Sequence, residues 1–164
     1  MTAQQALAKA ERPVPRPLIK TFWAIHRAIV RVSGGRVGFR SPEAGKTFGM
    51  ARLTTIGRRS GRTRVAMVGY YEDGPNLVTL AMNGWGKTDP AWWLNLQAVP
   101  EARVELPKGT RLVVARAATG VERDRLWATF ADYPGWGADL DALSAHSDRE
   151  AAVVVLEPKA GSDR

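Results

Sequence analysis

Residues 53–71 read LTTIGRRSGRTRVAMVGYY, a basic cluster between two apolar stretches. The stretches, Leu53 to Ile56 and Val65 to Tyr71, are rich in the β-branched and aromatic residues that favour strands. Ser60-Gly61 is the expected tip of the connection, because glycine adopts a positive φ without steric cost. The segment therefore predicts a β-hairpin whose turn carries the basic cluster.

The composition of this turn indicates an anion-binding site. A run without acidic residues, from Ala44 to Tyr71, contains one lysine and five arginines. Arginine binds phosphate and carboxylate through charge-assisted, often bidentate bonds, and free N–H groups of a turn add to such a site. The arginines of the turn are Arg58, Arg59, Arg62 and Arg64. We expect an anion there, and a solvated basic hairpin is the alternative.

The positive charge of the chain is concentrated in its first part. The net charge is +8, and residues 1–64 hold 14 of the 24 Lys and Arg residues against 2 of the 16 acidic residues. Residues 65–164 therefore hold the remaining 10 basic and 14 acidic residues. Such asymmetry indicates nucleic acid, an anionic membrane surface or a polyanionic ligand, and composition does not choose among them.

Cysteine is absent, and His26 and His146 are the only histidines. Disulfides, thiolate metal sites and a cysteine nucleophile are therefore excluded, and no metal is expected. No apolar run reaches the length of a membrane-spanning helix, and the N-terminus lacks the apolar core of a secretory signal. A cytoplasmic location is expected.

The remaining patterns predict one domain over residues 18–158, after a flexible lead-in over residues 1–17 and before a frayed tail over residues 159–164. Apolar residues at helical spacing predict an N-terminal helix over residues 18–33. Basic residues border its apolar stripe, so this helix either packs on the domain or makes a peripheral contact with an anionic membrane.

Short strands and inserted helices are predicted along the rest of the chain. The strands are expected over residues 51–57, 64–71, 77–82, 102–106, 110–117 and 152–157. One helix is expected to begin with Asp89 as N-cap and Pro90 as first helical residue, and another is expected to run from Thr119 to about Asp132. This order of elements favours a small antiparallel barrel or sandwich.

The order of several motifs is similar to that of a known family. The motifs are LTTIGRRSGRTR, an EDG turn, NGWGKTDPAWWLNLQAVP, ARAATGVERDRLW, DYPGW and SDREAAVVVLEP. In this order the chain resembles the deazaflavin (F420)-dependent nitroreductase family. The resemblance implies an α+β fold, a split β-barrel related to FMN-binding proteins, with mainly antiparallel strands, flanking helices and an N-terminal helix. It also implies hydride transfer from reduced F420 to a flat, electron-poor acceptor such as a quinone, an enone or a nitro compound.

The resemblance further implies a set of cofactor-binding residues. Coenzyme F420 carries a phosphate and an oligoglutamate tail, which suit the basic turn. Residues expected at the phosphate and tail are Arg58, Arg59, Ser60, Gly61, Arg64 and Lys87. Residues expected along the deazaflavin ring are Val65, Ala66, Met67, Met82, Asn83 and Gly84. Residues expected where a helix start supports the cofactor are Pro90, Ala91, Trp92 and Asn95.

Candidate catalytic and acceptor-binding residues follow from the hypothesis of hydride transfer. Tyr133 is the first candidate for a proton donor and His146 the second, and solvent is the alternative donor. The expected acceptor wall consists of Phe22, Trp23, Gly69, Tyr133 and Trp136. Gly69 stands where family members often have a large aromatic residue, and Ala66-Met67 replaces a usual polar residue or valine followed by proline. These departures favour a hydrophobic acceptor such as a quinone over a nitroimidazole.

Other functions are compatible with parts of the sequence. A noncatalytic carrier of F420 or of a lipid has the same fold, and FMN in place of F420 fits the fold but matches this branch less well. A nucleic-acid-binding barrel is disfavoured, because most tryptophans follow Asp89 and do not lie on the strands beside the basic turn. The oligomeric state is left open.

Overall fold

The computed structural model describes residues 39–83, 88–133 and 150–160. This part of the chain forms six strands and two helices. In chain order they are β1 (Gly49–Ile56), β2 (Thr63–Asp73), β3 (Asn76–Leu80), α1 (Ala91–Ala98), β4 (Glu101–Leu106), β5 (Gly109–Ala117), α2 (Gly120–Ala131) and β6 (Val153–Pro158). Within these residues no helix has both the length and the apolar character needed to cross a membrane.

The strands close into an antiparallel barrel in the order β1-β2-β3-β6-β5-β4, because β4 also pairs with β1. Alternation along β1 follows from the strand period of two: Leu53 and Thr55 are buried, whereas Arg52 and Thr54 lie on the outer face. The prediction of an antiparallel α+β barrel is confirmed. The predicted N-terminal helix over residues 18–33 lies outside the described residues.

The strands and helices that were predicted within the described residues are present, with small shifts at their ends. At α1 the N-cap residue is Pro90, whose backbone is extended, so the predicted cap at Asp89 is wrong by one residue. No side chain caps this helix. Thr119 is the N-cap residue of α2, as predicted.

Two apolar clusters stabilise the barrel. The first fills the interior, where Leu53, Val104 and Leu156 meet Trp93 and Leu96 of α1. The second lies outside the barrel under α2, and its larger members are Tyr71, Val78, Leu126, Phe130, Tyr133 and Val155. Helix α1 therefore packs on the barrel interior, and α2 covers the outer face of β2, β3 and β6.

The segments that were expected to be functional lie at one end of the barrel, because the strands are antiparallel. The β1–β2 turn, the end of β3 and the start of β4 all lie at this end, because neighbouring strands run in opposite directions. Helix α1 connects the end of β3 to the start of β4 and so lies there too. The fold thereby brings the basic turn close to α1, although they are far apart in sequence.

Candidate functional site

Backbone hydrogen bonds define the basic turn between β1 and β2. The Gly57 N–H donates to the Arg62 carbonyl at 2.8 Å, and the Gly61 N–H donates to the Gly57 carbonyl at 2.8 Å. Gly61 has a φ of 64°, which is the positive value predicted for the tip. The last strand pair before the turn is Ile56 with Thr63. The predicted hairpin is therefore confirmed.

The positive charge of this turn is not compensated within the protein. All four side chains of the turn are exposed, and in residues 39–83, 88–133 and 150–160 no carboxylate forms an ion pair with Arg58, Arg59, Arg62 or Arg64. Several arginines elsewhere are paired with carboxylates, among them Arg52 with Glu105 at 3.0 Å and Arg125 with Asp73 at 2.9 Å. The unpaired guanidinium groups are available to an external anion.

A buried amide connects the turn to α1. Asn95 is 4% exposed, and its Oδ1 accepts from the Arg58 backbone N–H at 3.1 Å and from Arg58 Nη1 at 3.4 Å. Its Nδ2 donates to the Thr55 hydroxyl at 3.2 Å. Thr55 was not among the predicted site residues. The alternation of side chains along β1 places Thr55 on the inner face of the barrel. A buried hydroxyl there needs a hydrogen-bond partner, and this requirement could have identified Thr55 from the sequence.

Ser60 makes a second contact within the turn. Its Oγ accepts from the Arg62 backbone N–H and from Arg64 Nη2, each at 3.4 Å. The Arg64 side chain also passes close to Gly57, since its Cγ would lie 3.4 Å from a Cβ at that position. The guanidinium groups of two of the four arginines, Arg58 and Arg64, therefore contact a polar side chain of the protein.

An open strand edge lies next to the turn. Strands β2 and β3 pair only from Tyr71 with Val78 to Asp73 with Asn76, whereas β3 goes on to pair with β6 as far as Leu80. The same β2–β3 register, if it continued, would pair Tyr70 with Thr79 and Gly69 with Leu80, which lie within the two strands. These pairs are absent from the ladder, so β2 and β3 separate beyond Tyr71, and the described part of the chain leaves this edge of β2 without a strand partner.

Side chains along this edge alternate between two faces. Val65 and Met67 share the outer face with Thr63, whereas Ala66 points inward and packs against the interior cluster. A flat molecule on the outer face would therefore contact Val65 and Met67 through their side chains and Ala66 only through its backbone.

The other predicted cofactor residues are dispersed around the same end of the barrel. Met82 packs against the cluster under α2, and the exposed Asn83 donates from Nδ2 to the Thr88 hydroxyl at 3.3 Å. Pro90 is buried, Ala91 is exposed, and the half-buried Trp92 lies 6.4 Å from Trp93 between ring centroids. Six predicted residues lie outside the described part of the chain: Phe22, Trp23, Gly84, Lys87, Trp136 and His146.

Tyr133 lies beside the outer face of β2. It is 8% exposed, and its ring stacks on Tyr71 with 5.7 Å between centroids. Tyr71 lies two residues beyond Gly69 on the same face, and its hydroxyl donates to the Leu126 carbonyl at 3.0 Å. Burial raises the pKa of Tyr133, and the negative charge of Glu72 raises it further. Tyr133 therefore keeps its phenolic proton at neutral pH.

A groove of about 530 Å³ lies on the outer face of β1, β2, β4 and β5, and none of the four arginines of the turn lines it. Two of its three lining cations are paired, Arg52 with Glu105 and Lys159 with Glu101 at 2.8 Å, and the third is Arg103. Its apolar lining includes Ile56, Val65 and Leu112. No group of three His, Asp or Glu residues in the described ranges is placed to hold a metal ion.

The turn closely surrounds Gly57. A Cβ there would lie 2.9 Å from Ser60 Oγ, which would have to rotate away and give up its contacts, and 3.1 Å from the Arg62 carbonyl oxygen, which would have to move by a few tenths of an ångström. We expect Gly57→Ala to lower the free energy of unfolding by about 1–3 kcal/mol in urea denaturation. The control is Gly61→Asn, because nothing lies within 4 Å of a Cβ at Gly61 and asparagine tolerates its positive φ. Equal stability of the two variants would contradict the steric argument.

An antiparallel barrel with an open strand edge defines a split-barrel protein, and a basic turn without a carboxylate partner in the described residues lies at one end of it. The model of the F420H(2)-dependent quinone reductase family matches residues 23–158, and the chain belongs to this family. The resemblance to F420-dependent reductases, predicted from the order of the motifs, is confirmed.

Two relatives come from Mycobacterium tuberculosis strain ATCC 25618 / H37Rv. F420H(2)-dependent quinone reductase Rv1261c is 30% identical over 105 residues, which is 63% of this chain and 68% of the relative. Rv3178 is 30% identical over 102 residues, which is 62% of this chain and 83% of the relative.

Solved structures agree on the fold. The F420-H2 dependent reductase FDR-A has a TM-score of 0.57 and 24% identity, over 66% of this chain and 93% of that one. A protein solved as a domain-swapped dimer has a TM-score of 0.62 and 21% identity, over 86% of this chain and 99% of that one. At these identities the likeness supports the split-barrel fold alone.

Proposed function

We propose that this protein is an F420-dependent oxidoreductase that transfers a hydride from reduced F420 to a quinone. The observation that carries the proposal is the basic turn without a carboxylate partner, placed beside an open strand edge in a chain of this family. The curated relative Rv1261c is named as a quinone reductase that depends on F420H(2). Family membership and the local chemistry therefore support the same activity.

The residues of the turn fit the proposed cofactor. The phosphate and oligoglutamate tail of F420 need cationic donors without competing carboxylates, which Arg58 to Arg64 offer. FMN carries a single phosphate and would leave part of this charge unused. A cofactor ring next to the open edge of β2 would contact Val65 and Met67 on one side and approach Met82.

When bound, reduced F420 supplies the hydride, and the protein contributes position and environment. In this proposal the turn fixes the anionic part of the cofactor, and the outer face of β2 orients the ring. Tyr71 and Tyr133 form an apolar wall that excludes water from the side of α2. The Tyr133 hydroxyl holds a proton that can be donated to the reduced acceptor.

The acceptor site is proposed along the outer face of β2 beside Gly69. Glycine at this position leaves room for a flat ring, and the neighbouring tyrosine pair offers an aromatic surface. A quinone fits this surface, and enones and nitro compounds are further acceptors of the same flat, electron-poor type.

The test combines binding with turnover. Purified protein is titrated with F420, and oxidation of reduced F420 is then followed with menadione, an enone and a nitroimidazole. We expect F420 to bind, FMN to bind more weakly, and menadione to be reduced fastest. Absence of F420 binding would overturn the proposal, and binding without turnover of any acceptor would identify a carrier instead.

A further inference from the structure

We propose that the four arginines of the turn form two functionally different pairs. Arg58 and Arg64, which the protein orients, hold the fixed phosphate of F420, whereas Arg59 and Arg62, which it leaves free, follow the acidic tail. The inference rests on the proposed function and deepens it, because it assigns the recognition of tail length to two particular side chains.

The first oriented side chain is Arg58. Asn95, which is 4% exposed, accepts from both its backbone N–H and its guanidinium group. Asn95 is itself held by its bond to Thr55, so the acceptor has a fixed position. Arginine has five N–H donors, and one bond to Asn95 leaves the others for a ligand. Asn95 therefore acts as a positioning residue for Arg58.

The second oriented side chain is Arg64. Its guanidinium group donates to Ser60 Oγ at 3.4 Å, and its stem passes over Gly57. These contacts are long and add little stability, but they reduce the number of rotamers that Arg64 occupies before binding. An oriented pair of cations suits one anion of fixed position, because less conformational entropy is lost on binding.

Arg59 and Arg62 differ from this pair. Both side chains are exposed, and in the described ranges neither guanidinium group has a hydrogen-bond or ion-pair partner. Long unanchored side chains can follow a chain of carboxylates whose number and conformation vary. Each such contact is weak and is screened by salt. The free pair is therefore suited to a flexible tail and not to a single phosphate.

The experiment compares two forms of the cofactor, F420 without glutamate and F420 with several glutamates, at low and high salt. Dissociation constants are measured for the unmodified protein, for Arg58→Ala/Arg64→Ala and for Arg59→Ala/Arg62→Ala. The charge-matched control is Arg111→Ala/Arg125→Ala, whose exposed side chains pair with Glu72 and Asp73 at the other end of the barrel.

We expect the double variant of the oriented pair to weaken both cofactor forms by the same factor, about 100-fold. In the double variant of the free pair, the dissociation constant for the form without glutamate should stay within about 2-fold of that of the unmodified protein. The same variant should lose most of the affinity that the tail adds at low salt. The control should change both affinities by less than about 3-fold.

Asn95→Asp tests the positioning role separately. This substitution keeps the size of the side chain and its acceptor for Arg58, but it adds a carboxylate that competes with the ligand for the guanidinium group. It also removes the Nδ2 donor, so the Thr55 hydroxyl has to donate to the new carboxylate instead. We expect both cofactor forms to lose affinity by about 10-fold or more, while the midpoint of thermal unfolding falls only slightly, because Arg58 compensates the added charge. A merely structural role would lower the midpoint and leave the affinity of the folded protein unchanged.

The outcomes separate the inference from the proposed function. If the unmodified protein does not bind F420, the proposed function fails. If F420 binds but both arginine pairs affect the two cofactor forms equally, the division into two pairs is wrong and the proposed function stands. Unchanged affinity in Asn95→Asp would overturn the positioning role.

Discussion

Replacing both Arg58 and Arg64 by alanine is expected to weaken F420 binding by about two orders of magnitude. A hydrogen bond to a charged group contributes roughly 1.5–3 kcal/mol, and the exposure of this turn places each contact near the lower bound. The structure provides no carboxylate partner for either guanidinium group in its described residues, so the substitutions break no internal ion pair. The lost free energy should therefore appear in binding and not in folding.

Salt dependence distinguishes this effect from a general disturbance of the turn. Exposed charges are screened over about 10 Å at 0.1 M ionic strength and over about 3 Å at 1 M. The difference in affinity between the unmodified protein and the double variant should consequently shrink as salt is added. Fluorescence titration with F420 at several salt concentrations measures it, and equal affinity of the two proteins at low salt would show that the turn is only a solvated hairpin.

Local sequence signals predicted the hairpin that carries the site. Alternation along Leu53 to Ile56 and the glycine at position 61 depend only on the strand period and on backbone sterics, so they could be interpreted without the fold. The positive charge of the turn was also predictable, because its arginines are close in sequence and no acidic residue occurs between Ala44 and Tyr71. Both features are properties of neighbouring residues.

Contacts between residues that are distant in sequence were harder to predict from the sequence. Asn95 was expected at the cofactor from the family resemblance, but its bonds to Thr55 and to Arg58 bridge 40 and 37 positions in sequence. They depend on where α1 packs against the barrel, which no local pattern specifies. The stacking of Tyr133 on Tyr71 has the same origin, since it requires α2 to cover the outer face of β2.

The direction of side chains along β2 refines the predicted ring contacts. Val65, Ala66 and Met67 were expected together at the deazaflavin ring, yet strand alternation places Ala66 against the barrel interior. The family pattern identifies positions in the sequence and does not state which face each occupies. A contact between Ala66 and the ring would have to be made by the backbone of the open edge.

Tyr133→Phe is expected to lower the turnover of menadione by about 100-fold while F420 binding and stability stay nearly unchanged. The phenolic hydroxyl has no hydrogen-bond partner in the described part of the chain, so its removal leaves no buried group unsatisfied there. The stacked ring remains on Tyr71 in the variant. The loss should therefore be confined to the proton that the hydroxyl donates. Tyr70→Phe is the matched control, since Tyr70 is buried on the inner face of the same strand.

The pKa of Tyr133 determines in which direction turnover should change with pH. A phenol donates a proton only below its pKa, and both burial and Glu72 raise the pKa of Tyr133 above its ordinary value of about 10. Turnover in the unmodified protein should thus be independent of this group through neutral pH and fall only above pH of about 10. Stopped-flow oxidation of reduced F420 between neutral and alkaline pH should show that fall in the unmodified protein and in Tyr70→Phe, but not in Tyr133→Phe. Full turnover in Tyr133→Phe would assign the proton to solvent or to His146, and Tyr133 would then act only as part of the acceptor wall.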